Sequence, residues 1–527
     1  MNKYSVIAVF FLCCMNTFAS DKVLSIGVLY LPENINPAQA TTIREGRILK
    51  EIFEGLLTIN QKGNAIAGLA ANWQVNKKGT QYRFNLRDNL FWSDGHPLIA
   101  MDFVNTFRAS IEFGSKSSNM LKVIKNFNAI KSGALPLSAL GAYAPDEKTL
   151  VIELESPLAF FDKQLLQDHF KPLPMHAIDR KSIQEKWQPR ANLPTSGPYQ
   201  LSSIANASLT LTKNPFYHSA DTVYFEKLVF SAYENEGKMI NDLVKQKISI
   251  SYTGSNSRQL EWLKNNYPDR IKYVATPVLT YLAFNNIDAV IANPDIRKAL
   301  AMLINKATLA KALTNNASKY LEAHSIAPSK MYQHDALPAV QWANWNRQKI
   351  SQYALHLLKK SGFSAENPLE ISLHVDNREH RIKIGKLLQS MWHKIGVKTH
   401  LTIRSPAQHY KTLYQNGLQI ALAGWSQDYQ EPYNFLSVLH SDFYGEPPIL
   451  SGEINALMKK SLSTLDREKR ESIYLEIEKI NQQRSIKLPL TFSLDATIVS
   501  PQLEGYEYTG SNLHPSRWLY WKTAQPD

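Results

Sequence analysis

Cysteine is almost absent. Among 527 residues only Cys13 and Cys14 occur, both within the first twenty positions. A chain cleaved after that stretch has no disulfide, no zinc–thiolate or iron–sulfur centre and no thiol nucleophile. Long apolar runs are equally scarce. Val6 to Met15 is too short to span a bilayer, follows Lys3 and precedes the small-x-small triplet Thr17-Phe18-Ala19. That is the layout of a secretory signal, with cleavage expected after Ala19 or Ser20. Leu12 runs straight into Cys13, without the two small residues that a lipoprotein leader places there, so the expectation is a freely secreted protein.

Signatures of catalysis are missing too. The 14 histidines are dispersed, with no HExxH and no pair at metal-ligand spacing. No GxSxG elbow occurs, and Ser251 to Ser257 offers hydroxyls without an evident base. Gly63 and Gly68 lack the Lys-Ser/Thr partner of a phosphate loop. Asp162, Glu322 and Glu431 can each be nominated for a glycosidase pair, but such a pair meets only in space. No enzyme activity, cofactor or metal is expected. Positive charge is plentiful, 59 Lys and Arg against 46 Asp and Glu. It forms no polybasic block, so a solvated basic surface is expected rather than a nucleic-acid interface.

What is present is a long alternation of strand-like and helical runs. A chain of this length exceeds one core, so two or three lobes of mixed α/β type are expected. Val23 to Tyr30, Tyr82 to Leu86, Ser208 to Leu211, Leu228 to Tyr233, Val397 to Ile403 and Leu488 to Phe492 read as strands. Helical spacing covers Ile43 to Leu57, Asp102 to Phe113, Pro294 to Leu303, Arg381 to Ile395, Ile454 to Leu465 and Arg467 to Asn481. Asp94-Gly95 supplies a turn. There is no internal repeat and no long linker.

Ordered motifs run through this pattern. They are Ile52 to Val75 with Glu54-Gly55-Leu56, Tyr82 to Val104 with Trp92 to Gly95, Trp187, Thr195 to Leu201 and Lys213 to Tyr217. Ala283 to Leu300, Ala423 to Leu436 and Leu488 to Phe492 complete the series. Together they resemble the bacterial extracellular solute-binding proteins of family 5, and within them the periplasmic oligopeptide-binding branch serving ABC importers. The resemblance implies a two-lobed, type II periplasmic-binding-protein fold with an inserted subdomain and a hinge. Lobe I would comprise 21–48, 172–275 and 490–527, the insert 49–171, and the other large lobe 276–489. Trp73, Trp92 and Phe103 read as core aromatics.

The resemblance also implies a ligand, a short peptide, gripped in a closed interlobe cleft and handed to inner-membrane permease subunits driven by cytoplasmic ATPases. A monomeric periplasmic receptor is implied. Backbone pairing would come from Gly424-Trp425-Ser426 on one side and Leu31-Pro32-Glu33 on the other. Asp428 aligns with the acid that holds the ligand's α-ammonium, Trp425 and Tyr410 with aromatic walls, and Tyr281 with a pocket tyrosine. Leu422 stands where an arginine is expected, Ala283 where an acid is expected, and Ser493 where a tyrosine is expected. Carboxylate capture then falls to His380, Arg381 or Arg404. Two alternatives stay open: the same fold with another ligand (murein peptide, glutathione, haem, a metal complex or a sugar), and a secreted hydrolase or scaffold.

Overall fold

The computed structural model describes residues 22–522 apart from 41, 117, 206, 253–256, 271–275, 315–318, 333–336, 338, 415–416, 442–450, 496 and 508–512. The expected signal segment 1–20 therefore lies outside the described residues, as does the stretch just before the lobe crossing expected near 275. No described helix is long and apolar enough to cross a membrane.

Three sheets organise the chain. In the first, Val23–Val28 runs parallel to Lys227–Ala232 on one side and to Ile250–Ser251 on the other. Ser208–Lys213 and Tyr199–Ala205 extend it as an antiparallel hairpin, and Ile498–Val499 closes the far edge. Leu24 and Ile26 are buried within Val23–Val28 because alternate side chains of a strand share one face. The second sheet has the order Lys319–Glu322, Lys487–Asp495, Thr276–Phe284, Ile420–Ser426, Glu370–Asp376, Lys398–Arg404. Its last three strands are mutually parallel; the others pair antiparallel. Apolar clusters cover it on both faces, one built around Leu373, Leu422 and Trp392, the other around Leu279, Tyr281 and Phe435. The third sheet is antiparallel, made of Ala70–Val75, Gln81–Leu86, Thr149–Glu153 and Ala142–Asp146. It shares one core with the first sheet; Trp92 and Phe103 are fully buried there, and Trp73 packs against it half-buried.

Most sequence expectations hold to within a few residues, and the exception is instructive. Helical spacing was read from Ile43 to Leu57, yet the helix spans Ile43–Ile52, opened by a capping box between Thr42 and Glu45. Phe53 is extended because the chain beyond it is claimed by tertiary pairing. Gly197 N–H donates to Ile52 O at 2.9 Å, and Gly68 and Leu69 N–H donate to Leu56 and Gly55 carbonyls at 3.0 and 2.9 Å. A Cβ on Gly197 would lie 2.6 Å from Glu51 O, so this crossing accepts only glycine.

The same crossing gathers buried charge. Glu54 accepts from Arg517 Nη1 at 2.6 Å, from Tyr217 Oη at 2.9 Å, and pairs with His218 Nε2 at 2.6 Å. Burial opposes its ionisation, but Arg517, His218 and Tyr217 together hold its carboxyl below the ordinary value. Glu51 accepts from Ser516 N–H and Oγ at 2.9 and 2.8 Å. Burial dominates and pushes the Glu51 carboxyl up to about 7, against the Ser516 bonds and the charges of Arg517 and Lys171.

Candidate ligand-binding site

The three parallel strands of the second sheet end together at Asp376, Arg404 and Ser426. In open α/β sheets the crevice beyond such carboxyl ends is the natural binding position, because loops diverge there over a rigid edge. Val23–Val28, Lys227–Ala232 and Ile250–Ser251 form the equivalent parallel edge of the first sheet. Both halves of the expected site leave these edges.

Asp428 lies two residues past the Ile420–Ser426 strand and is organised by one residue, Asn434. The Asn434 Oδ1 accepts from Asp428 N–H and from Trp425 Nε1, both at 3.1 Å, and its Nδ2 donates to Asp428 Oδ2 at 3.3 Å. Asn434 is itself buried, on the short helix Pro432–Leu436. Among the described residues Asp428 has no cationic partner. Its side chain reaches solvent inside a crowded recess; desolvation there raises its carboxyl above the usual value, against the bond from Asn434. The carboxamide of Gln427 next to it is buried with neither Nε2 nor Oε1 bonded. An unbonded buried amide costs about 1–3 kcal/mol, which a ligand would relieve.

A second chain segment supports this loop from outside. Gln167 Nε2 donates to Asp428 O at 2.7 Å, and Lys163 Nζ donates to Gln430 O at 2.8 Å and pairs with Glu431. Phe160 stacks on Tyr429 with ring centroids 5.6 Å apart. Glu431 also accepts from Arg470 Nε and Tyr474 Oη, each at 3.0 Å. Burial would raise the Glu431 carboxyl, but Lys163 and Arg470 hold it down. Glu431 is thus a buried structural acid, with Asp162 on the same segment as Lys163.

Near the same end of the strand sits Arg381, almost fully buried on the helix Glu379–His393. Its Nη1 donates to Ala423 O at 2.7 Å, and its Nη2 fills the space that a Cβ on Gly424 would take. Because 420, 422 and 424 share one face of the strand, Arg381 stands one step beyond Leu422. The Leu422 side chain is sealed in the apolar cluster on that face. Arg378 grips Asp376 with Nε and Nη2 at 2.7 and 2.6 Å and hydrogen-bonds Tyr410. Arg404 Nη1 bonds His374 Nδ1 at 2.7 Å.

The remaining site expectations divide. Gly424 and Trp425 are half-buried and Ser426 exposed at the strand end. Leu31 and buried Pro32 line a cavity of about 140 Å³ with Tyr30, Arg44, Arg47 and Tyr252, while Glu33 points outward to Lys186 at 3.5 Å. Tyr281 is corrected: its side chain is fully buried in the Leu279–Phe435 cluster and lines no open surface, because its face of the strand is covered by the Pro432–Leu436 helix and its neighbours. His380 is half-buried at the start of the helix Glu379–His393, where burial, with Arg381 and Arg378 adding to it, lowers its pKa to about 4. Asn434 and Gln427 were not foreseen; nothing in a single Asn or Gln distinguishes it from a surface amide.

The chain is similar to known proteins over most of its length. The family model described as bacterial extracellular solute-binding proteins, family 5 Middle, matches residues 64–445. The periplasmic oligopeptide-binding protein OppA of Salmonella typhimurium is 27% identical over 482 residues, 90% of this chain and 88% of the relative. The periplasmic murein peptide-binding protein MppA of Escherichia coli is 26% identical over 507 residues, 93% and 91% of the two chains. The solved unliganded open form of murein tripeptide-binding MppA superposes with TM-score 0.80 at 23% identity, covering 95% of this chain and 98% of that one. The likeness shows the fold, a two-lobed α/β architecture of the periplasmic binding-protein kind.

Proposed function

We propose, from the premise that this chain belongs to the bacterial extracellular solute-binding proteins, family 5, that it is a periplasmic receptor delivering short peptides to an ABC importer. The observation that carries the reading is Asp428: a carboxylate oriented by Asn434, partly desolvated and without a cationic partner among the described residues. A ligand α-ammonium completes that site with a charge-assisted hydrogen bond, strongest once the lobes exclude water. The names of the relatives support peptide as the ligand, two of them being oligopeptide- and murein-peptide-binding proteins. Strand ends Gly424 to Ser426 and Leu31 to Glu33 supply backbone groups common to every peptide.

The finer reading places 21–48, 172–275 and 490–527 in one lobe, 49–171 in an insert and 276–489 in the second lobe. The receptor acts as a secreted, non-enzymatic monomer after removal of its signal segment, docking on inner-membrane permease subunits with cytoplasmic ATPases. Its ligand leaves unchanged.

Asp428→Asn tests it by calorimetry. Loss of a desolvated charge pair costs about 3–5 kcal/mol, a hundredfold or more in affinity. N-acetylated peptides are expected to fail on the native protein. Equal affinities for free and acetylated peptides would refute amine capture at this residue.

A further inference from the structure

The second sheet borders another cavity, at the edge away from the ligand cleft. Register places it there. Ser426, at the cleft end, lies opposite Val278, whereas Leu488 lies opposite Leu282, toward the other edge. The strand Lys319–Glu322 leads to that same edge, with Lys319 opposite Leu494 and Glu322 opposite Thr491. Past these strand ends, Leu488, Glu322 and His324 line a cavity of about 420 Å³ together with Lys306, Trp342 and Trp345. Small-molecule sites span roughly 300–1,000 Å³.

Its walls are apolar. Met302 and Ile304 are buried, and Trp342 and Trp345 pack half-buried on the same cluster as Leu488. Tyr353 meets the Trp345 ring edge-on, with centroids 5.3 Å apart, and helps to hold it in place. Charge enters at Lys306, the first residue of the helix Lys306–Leu313. Its Nζ donates to Ala323 O at 2.8 Å, and among the described residues no carboxylate forms an ion pair with it. The nearby acids are engaged elsewhere, Glu322 with His324 at 3.4 Å and Glu478 with Ile326 and Ala327 N–H. Burial outweighs both acids and lowers the Lys306 pKa to about 8, so at neutral pH the ammonium is mostly charged yet poorly paired. Arg347 lines the same cavity, and Lys298 and Lys349 stand over the rings of Trp342 and Trp345 at 5.9 and 4.2 Å.

We propose that this cavity is a second ligand site, for a small carboxylate carrying a flat apolar body: the carboxylate pairs with Lys306 and the body packs on Trp342 and Trp345. An ammonium has three donors, so it can bind a carboxylate and keep Ala323 O. Such a charge-assisted bond is stronger in an apolar pocket than in water. Glu322 keeps 39% of its side chain exposed, and solvent screens its charge. An amine ligand would meet Lys306, Arg347 and Lys298 as like charge. The site lies apart from Asp428 and does not depend on the peptide reading.

Calorimetry on the full chain with 3-phenylpropionate, its amide and 3-phenylpropylamine tests it. The acid is expected to bind with a Kd of about 1 mM or below, the amide at least tenfold more weakly, and the amine more weakly still. Lys306→Gln should weaken the acid at least tenfold, with Lys306→Arg retaining part of the affinity. Thermal unfolding of each variant separates misfolding from lost binding. Should Lys306→Gln unfold, Trp345→Ala leaves the bond from Lys306 to Ala323 in place and should still weaken the acid at least threefold. Equal affinities for acid and amide, or acid binding unchanged in either Lys306→Gln or Trp345→Ala, overturn the assignment. No binding of the acid at about 10 mM overturns the site itself.

Discussion

Gly424 and Arg381 share one space: the guanidinium Nη2 occupies the position of the Cβ that glycine lacks, while Nη1 holds the neighbouring Ala423 carbonyl at 2.7 Å. The strand end and the buried charge are therefore one unit. A methyl at 424 would also meet Leu279 O at 3.1 Å, so it has no room on the backbone side either.

Gly424→Ala should accordingly cost about 1–3 kcal/mol through overpacking and expel Arg381 from its seat. Urea denaturation reads the first effect. Peptide affinity, expected to fall at least tenfold, reads the second. Arg381→Met combined with Gly424→Ala should recover most of the stability and none of the affinity.

The site acid gives a pH dependence. Asp428 must be ionised to hold an ammonium, and desolvation raises its carboxyl above the ordinary value. Affinity should thus decline on acidification before an ordinary aspartate would protonate, and Asp428→Asn should flatten that limb. An affinity constant from pH 7.5 down to the ordinary carboxylate range would count against Asp428 as the titrating group.

Glu431 and Lys163 should respond unequally although they form one pair. Glu431 is buried with Arg470 and Tyr474, so Glu431→Gln leaves a guanidinium uncompensated and should cost about 3–5 kcal/mol. Lys163 keeps 30% of its side-chain surface exposed, and Lys163→Met should cost less than about 1 kcal/mol. Chemical denaturation of both variants decides the ranking.

Glu478 supplies a control with no bond to the candidate site residues described above. It accepts from Ile326 and Ala327 N–H at 2.9 and 3.0 Å, yet burial dominates and raises its carboxyl to about 7. The folded state holds this proton more tightly than the unfolded chain, so stability falls as pH rises between the unfolded value near 4.5 and about 7. Glu478→Gln carries the equivalent of that proton permanently. Its stability relative to the native chain should improve by on the order of 3 kcal/mol from pH 5 to pH 8.

How much of this was readable beforehand depended on range. Pro294–Leu303 was read to the residue, because proline at the first turn and periodic Ile296, Leu300 and Leu303 are local signals. Lys398–Arg404 was placed one residue early, and the helix before it two residues late. The strand Thr276–Phe284 went unread: covered on both faces, it lacks the alternation that betrays a half-exposed strand. In the candidate site, Asp428 and Trp425 were nominated through their motif, and the structure places them together on Asn434. Arg381's seat behind Gly424 was not, since helix and strand meet there only through the register of the folded sheet. Tyr281 misled for the same reason, its face being decided by a neighbour in space.

The return of the chain to its first sheet has a consequence for the order of folding. Glu51 and Glu54 find Ser516 and Arg517 only across sequence separations of 465 and 463 residues. Ile250–Ser251 likewise gains Ile498–Val499 from the far end. Until those last segments are synthesised, the crossing around Gly197 holds carboxylates with no arginine to answer them. Such distant closures are slow and come late. The body formed first in sequence is therefore the last to lock.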